Sequence, residues 1–219
     1  MILRSQILVI LVGLALSLEG CGPPTLPGDA GPFIKFKDDA KTNSEPKSAE
    51  LGELSFLDSA GNKVHLTSYR DKSNLVLVVT RGLVGSETQK NGKSVGNICT
   101  FCSTQTSRLI ANYGKFKQRK AEVLVVFPVA RKSDEGALDQ FASRVQGDKK
   151  SAADAPFPLL LDVDLTAVDS LGIRADLSKP ATYILDKKGE VRFAYVGQNL
   201  TDRPSVKALL DQLDQINSE

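Results

Sequence analysis

Cys99 and Cys102 stand two residues apart, enclosing Thr100 and Phe101, and thiols at this spacing can cycle between dithiol and disulfide. The thiolate is the reactive species, so the surroundings of the sulfurs decide between chemistry and a mere staple. Downstream, Cys102, Thr106, Leu109, Tyr113 and Phe116 recur at spacings of 4, 3, 4 and 3, which puts them on one face of a helix. The unpaired amides at the mouth of such a helix favour a thiolate at Cys99. Cys99 is therefore expected to attack a partner, and Cys102, one turn further in, to resolve the mixed disulfide. A zinc site would need four ligands, whereas the chain offers one further cysteine, Cys21, and one histidine, His65. Haem attachment calls for a histidine after the second cysteine, where Ser103 stands. No metal or cofactor is expected. A structural disulfide is the non-catalytic alternative, although so short a loop closes little chain entropy.

Two further groups invite the same question. His65 falls in a hairpin pattern far from the cysteines and reads as a solvent-facing strand residue. Asp162 and Asp164, in the run LDVD, form a carboxylate pair that a strand-end turn explains without a metal.

The elements that must position the dithiol follow from the pattern around it. Leu75–Val79 and Val123–Phe127 are continuous β-branched and leucine runs, as expected for central parallel strands buried on both faces. Phe157–Leu161 suggests a third. Glu53–Leu66 reads as a hairpin turning at Ser59–Asn62, and Thr182–Leu185 with Val191–Val196 as a second one at a sheet edge. Helices are expected from Ser133, as cap, to Val145, and from Pro204 through Val206, Leu209, Leu210, Leu213 and Ile216. Arg81–Asn97, a glycine-rich stretch between strand and dithiol, reads as a solvated surface loop.

At 219 residues the chain suits one domain with extensions. Arg4 followed by the apolar run Ile7–Leu18 has the make-up of a secretory signal, its 12 residues falling short of the roughly 20 that span a bilayer. Leu18-Glu19-Gly20-Cys21 resembles the bacterial lipobox, with Glu19 an unusual residue in it. The resemblance implies acylation of Cys21 and removal of residues 1–20. Lipidation also leaves an even pair of cysteines in an exported protein. Residues 21–49, with five prolines in 22–49 and no sustained period, read as a disordered tether from the lipidated Cys21 to a domain over 50–219. The expected setting is thus the cell envelope, lipid-anchored and extracytoplasmic. With 28 basic against 26 acidic residues and no dense basic block, nucleic acid is not an expected partner.

The combination of the dithiol with Lys179-Pro180-Ala181-Thr182-Tyr183-Ile184-Leu185-Asp186 resembles the thioredoxin-like superfamily over roughly residues 50–216. Within it, the membrane-tethered thiol-disulfide oxidoreductases and the AhpC/TSA (peroxiredoxin-like) group come nearest. The resemblance implies an α/β fold with a central mixed sheet flanked by helices and, here, an N-terminal β-hairpin extension. It implies that Pro180, preceded by Lys179, is cis and lies against the dithiol. It implies dithiol exchange with protein thiols and disulfides, including a redox partner whose identity it does not supply. The alternative it carries is a thiol peroxidase with Cys99 as peroxidatic cysteine. Such a peroxidase would show proline and threonine seven and three residues before that cysteine, where Gly92 and Gly96 stand, and an arginine where Pro180 stands. Arg81 is the candidate substitute for that arginine. The chain also departs from the oxidoreductases: Ile98 replaces the usual tryptophan, and Thr100-Phe101, the dipeptide that tunes redox potential, lacks proline.

Overall fold

The computed structural model describes residues 26–46, 48–88 and 94–219. A seven-stranded mixed sheet runs in the order β2-β1-β7-β6-β3-β8-β9. Its centre is β3 (Asn74–Val79), β6 (Ala121–Val129) and β7 (Leu159–Val163), paired in parallel. The hairpin of β1 (Ser55–Leu57) and β2 (Lys63–His65) joins one edge, antiparallel to β7. At the other side β8 (Ala181–Leu185) runs antiparallel to β3 and turns back as β9 (Val191–Val196).

All six residues of β3 are buried, because alternate side chains enter cores on opposite faces of the sheet. Val76 and Val78 meet Leu109 and Phe116, Phe141 and Leu209, which belong to α2 (Thr100–Ala111), α3 (Tyr113–Gln118), α4 (Ala137–Gln146) and α6 (Val206–Ser218). Leu75, Leu77 and Val79 face Leu51 and Val168, from α1 (Ser48–Gly52) and α5 (Thr166–Ser170). Each such side chain contributes roughly 1.5–3 kcal/mol, so the two-sided core is what fixes β3 and hence the segment leaving it.

Several boundaries differ from the sequence expectation. The stretch expected as a loop over 81–97 forms an antiparallel pair, β4 (Leu83–Thr88) with β5 (Ser94–Ile98), separate from the main sheet. Its entry is pinned at Gly82, whose φ is +77° and whose Cα lies so close to β6 that a Cβ would stand 2.0 Å from the Pro128 carbonyl oxygen. The helix expected from Cys102 to Phe116 is interrupted at Asn112, whose Nδ2 donates back to the Arg108 carbonyl at 2.9 Å. Such a local side-chain bond competes with helix propagation. Ser133 lies in a separate short turn over 132–134, and α4 begins only after Gly136. The last helix, expected to open at Pro204, starts at Val206 with Ser205 as its cap, the Ser205 Oγ accepting from the Ala208 amide at 3.1 Å.

Residues 26–46, expected as part of a disordered tether, lie as a strap on the domain. The Lys37 amide donates to the Arg203 carbonyl, and the Ser205 amide donates to the Lys37 carbonyl, both at 2.8 Å. Asn43 continues the contact along β9, donating from its backbone to the Ala194 carbonyl at 2.9 Å and accepting on Oδ1 from the Val196 amide at 2.8 Å. The strap thereby covers part of an edge strand. From α2, Arg108 grips it at the Asp29 carboxylate and at the Gly31 and Ile34 carbonyls. Of the strap's apolar residues only Ala40 joins the core. Hydrophobic pattern therefore carried no sign of docking that rests on backbone hydrogen bonds and polar side chains such as Arg108, Lys37 and Asn43.

Candidate active site

The dithiol sits where β5 hands over to α2. Cys99 is the residue before the helix, with extended backbone (φ −62°, ψ 123°), and is half-buried. Cys102, one turn inside, is sealed in the core at 1 % exposure. Both sulfurs are free thiols here. A hydrogen bond from the Cys102 thiol, and after it the amides of Cys102 and Phe101 and the charge of Arg203, outweigh burial and bring Cys99 down to about 5. Burial pushes Cys102 well above the ordinary thiol range, and its bond to Cys99 adds to the rise. One sulfur is therefore ionised and reachable, the other protonated and enclosed.

Two groups face the enclosed sulfur. The Arg81 amide, just past the end of β3, points at Cys102 Sγ from 3.4 Å. Arg203 donates to Cys102 Sγ from its guanidinium at 3.2 Å. It also donates to Gln105 Oε1 at 2.8 Å and to the Leu200 carbonyl at 2.9 Å. It is 1 % exposed. Gln105 Nε2, beside it, is buried with no partner.

The other expected site residues take quieter places. Pro180 is buried at the start of β8, where Ala181 pairs with Val79, the end of β3 that leads toward the dithiol. No peptide bond among the described residues is cis, so the Lys179–Pro180 bond is trans, against the expectation. The Pro180 carbonyl accepts from the Gly197 amide at 2.8 Å, an ordinary strand-edge arrangement. Lys179 is exposed, its amide donating to the Ile173 carbonyl. The Arg81 side chain turns away to pair with Asp176 at 3.3 Å. Thr100 is exposed and accepts from Arg144 at 3.3 Å, and Phe101 begins the helix beside it. His65 is exposed on β2. Asp162 is buried and accepts from the Ala167 and Val168 amides, both at 2.9 Å, as the N-terminal partner of α5. Asp164 holds a left-handed turn at φ 58° between β7 and that helix. Cys21 lies outside the described residues.

Arg203 is the residue the sequence reading missed. Asp202-Arg203-Pro204 looks like a solvated charged turn. Its one visible signal is an arginine immediately before a helix-opening Pro-Ser pair, where the chain must pass close to the body of the domain.

A parallel centre with an antiparallel pair at one side, helices on both faces, and a dithiol at the first turn of the helix after the central strand define a thioredoxin-like fold. Solved structures similar to it include peroxidoxin BcpB from Mycobacterium tuberculosis (TM-score 0.54, 16 % identity, 81 % of this chain and 99 % of that one). A peroxiredoxin Q from Xanthomonas campestris is similar to the same extent (TM-score 0.54, 16 % identity, 83 % and 99 %). So is a secreted Mycobacterium tuberculosis disulfide oxidoreductase homologous to E. coli DsbE (TM-score 0.52, 16 % identity, 76 % and 98 %). No curated protein matches the chain. Residues 94–194 match the AhpC/TSA family. The chain thus has a thioredoxin-like fold, and the segment that matches AhpC/TSA spans the dithiol and the strands from β6 into β9.

Proposed function

We propose that this protein is an envelope thiol-disulfide oxidoreductase in which Cys99 attacks and Cys102 resolves. The observation that carries the reading is the inequality of the two sulfurs: Cys99 half-buried and held near 5, Cys102 sealed and held high. A thiolate at neutral pH with a protonated thiol one turn behind it supports two-step exchange. A groove of about 490 Å³ opens beside Ile98, the neighbour of Cys99, between β5 and α4, which leaves room for a protein partner. The apolar run Ile7–Leu18 and Cys21 support export and lipid anchoring.

The test uses oxidised glutathione as the partner. Cys102→Ser should accumulate one glutathione on Cys99 by mass, the wild type should close its own disulfide, and Cys99→Ser should do neither. A Cys102→Ser protein that stays unmodified at neutral pH overturns the proposal. Anchoring is read by fatty-acid labelling that Cys21→Ser abolishes.

The family match of residues 94–194 favours one second reading, a thiol peroxidase with Cys99 as the sulfur that becomes a sulfenic acid. It requires hydrogen peroxide to be consumed faster than glutathione disulfide by the same reduced sample.

A further inference from the structure

Resolution poses an electrostatic problem that the resting dithiol does not. While Cys99 is a thiolate, the Cys102 thiol donates a hydrogen bond to it. Once Cys99 is tied to a partner, that acceptor charge is gone, and Cys102 must itself become an anion in a site with 1 % exposure. A buried anion needs a charged or well-directed donor beside it. Around Cys102 Sγ stand the Arg81 amide at 3.4 Å and the Arg203 guanidinium at 3.2 Å, the second carrying a full charge.

The placement of that charge depends on the strap. Arg203 is reached by a short connection from β9, and the strap binds it from both sides: Lys37 pairs with the Arg203 carbonyl and the Ser205 amide, and Lys37 Nζ forms an ion pair with Asp202 at 2.7 Å. The first part of the strap is held by α2 itself. Ala30 donates to Thr104 Oγ1 at 3.2 Å, and Arg108 takes Asp29 at 3.0 Å. The strap thus links α2, which carries Cys102, to the segment that carries Arg203.

We infer that the strap over residues 26–43 is a positioning element of the active site: it holds the Arg203 guanidinium on Cys102 Sγ, and that guanidinium supports the charge Cys102 takes on when it closes the disulfide. The inference rests on the exchange reading above. In the step concerned, the Cys99 thiolate has displaced one thiolate from a disulfide RSSR′, and that R′ thiolate has been protonated by solvent. Cys102 then gives its proton to water, its sulfur bonds to Cys99 Sγ, and the Cys99–SR bond breaks. The departing R thiolate takes a proton back. Overall the dithiol is oxidised by two electrons and the partner disulfide reduced to two thiols.

Dithiodipyridine separates the two steps, since attack by Cys99 releases one thiopyridone and closure by Cys102 releases a second. In the full-length reduced protein, Arg203→Met should slow the second release at least about tenfold near neutral pH and move its pH profile upward. Arg203→Lys, which keeps a charge, should recover part of the rate. A folded Arg203→Met protein that closes at the wild-type rate overturns the assignment. For the strap, the Lys37→Ala, Arg108→Ala double variant should become cleavable by protease within 26–46 and close several-fold more slowly. A strap that stays protected, or one that is released while closure keeps its wild-type rate, overturns the positioning role. Absence of even the first release from the wild type would instead defeat the exchange reading itself.

Discussion

Two helix mouths in this molecule use the same device to opposite ends. At α5, Asp162 sits before the helix and accepts two backbone amides. At α2, Cys99 sits before the helix and is stabilised by the amides of Cys102 and Phe101. Asp162 is 3 % exposed, and although burial raises its carboxyl above the ordinary carboxylate range, its two fixed amide partners offset part of that rise and tie it to the start of a helix. Cys99 is half-open, and its foremost stabilising partner is a second thiol that can become a bonding partner. In both places the helix mouth offers its amides to an anion. Exposure and the redox capacity of what faces it decide whether that charge is structural or chemical.

The largest effect should come from breaking the structural mouth. Asp162→Ala leaves the Ala167 and Val168 amides buried without acceptors and should cost roughly 2–4 kcal/mol of stability, measured by urea unfolding. Asp162→Asn, which keeps one acceptor, should cost less. Were Asp162→Ala as stable as the wild type, the two mouths would not differ in the way described.

The chemical mouth should show itself by titration. The rate of Cys99 alkylation should rise with pH through a midpoint near 5. The same group links pH to folding: its folded value lies below the ordinary thiol value of 9.0, so the folded state binds fewer protons than the unfolded one between the two. The stabilisation is complete above about 9 and is lost as pH falls through about 5. Reduced wild type compared with reduced Cys99→Ser should therefore lose its advantage on acidification. A midpoint near the ordinary thiol value would make the α2 mouth no better a holder of charge than solvent. The smallest effect is expected at the rim. Arg144→Ala removes only an exposed contact to Thr100 and should change stability by less than about 0.5 kcal/mol, while leaving the alkylation midpoint in place.

The sequence made the scaffold legible wherever burial is two-sided and local. The runs 75–79 and 123–127, both hairpins outside the insertion, and the inward residues Leu138, Phe141, Ala142 and Val145 are all where the pattern puts them. It also located Cys99 and Cys102, because their spacing and the helical period behind them are local signals. What stayed hidden depends on long-range contacts made by polar atoms. Arg203 reaches Cys102 across 101 positions, and the strap reaches β9 across about 150, neither leaving any hydrophobic period. The β4–β5 hairpin was obscured by its glycines, and the trans bond before Pro180 contradicts what the family resemblance implied.

Gly82 has one more consequence. Because β6 passes so near that point, the insertion leaves the sheet through an aperture with no room for a side chain. Any larger residue at 82 would have to push the start of the insertion away from β6, and the insertion leads through β5 and Ile98 directly into Cys99. The chain that delivers the reactive sulfur is thus moored at a point that tolerates no side chain.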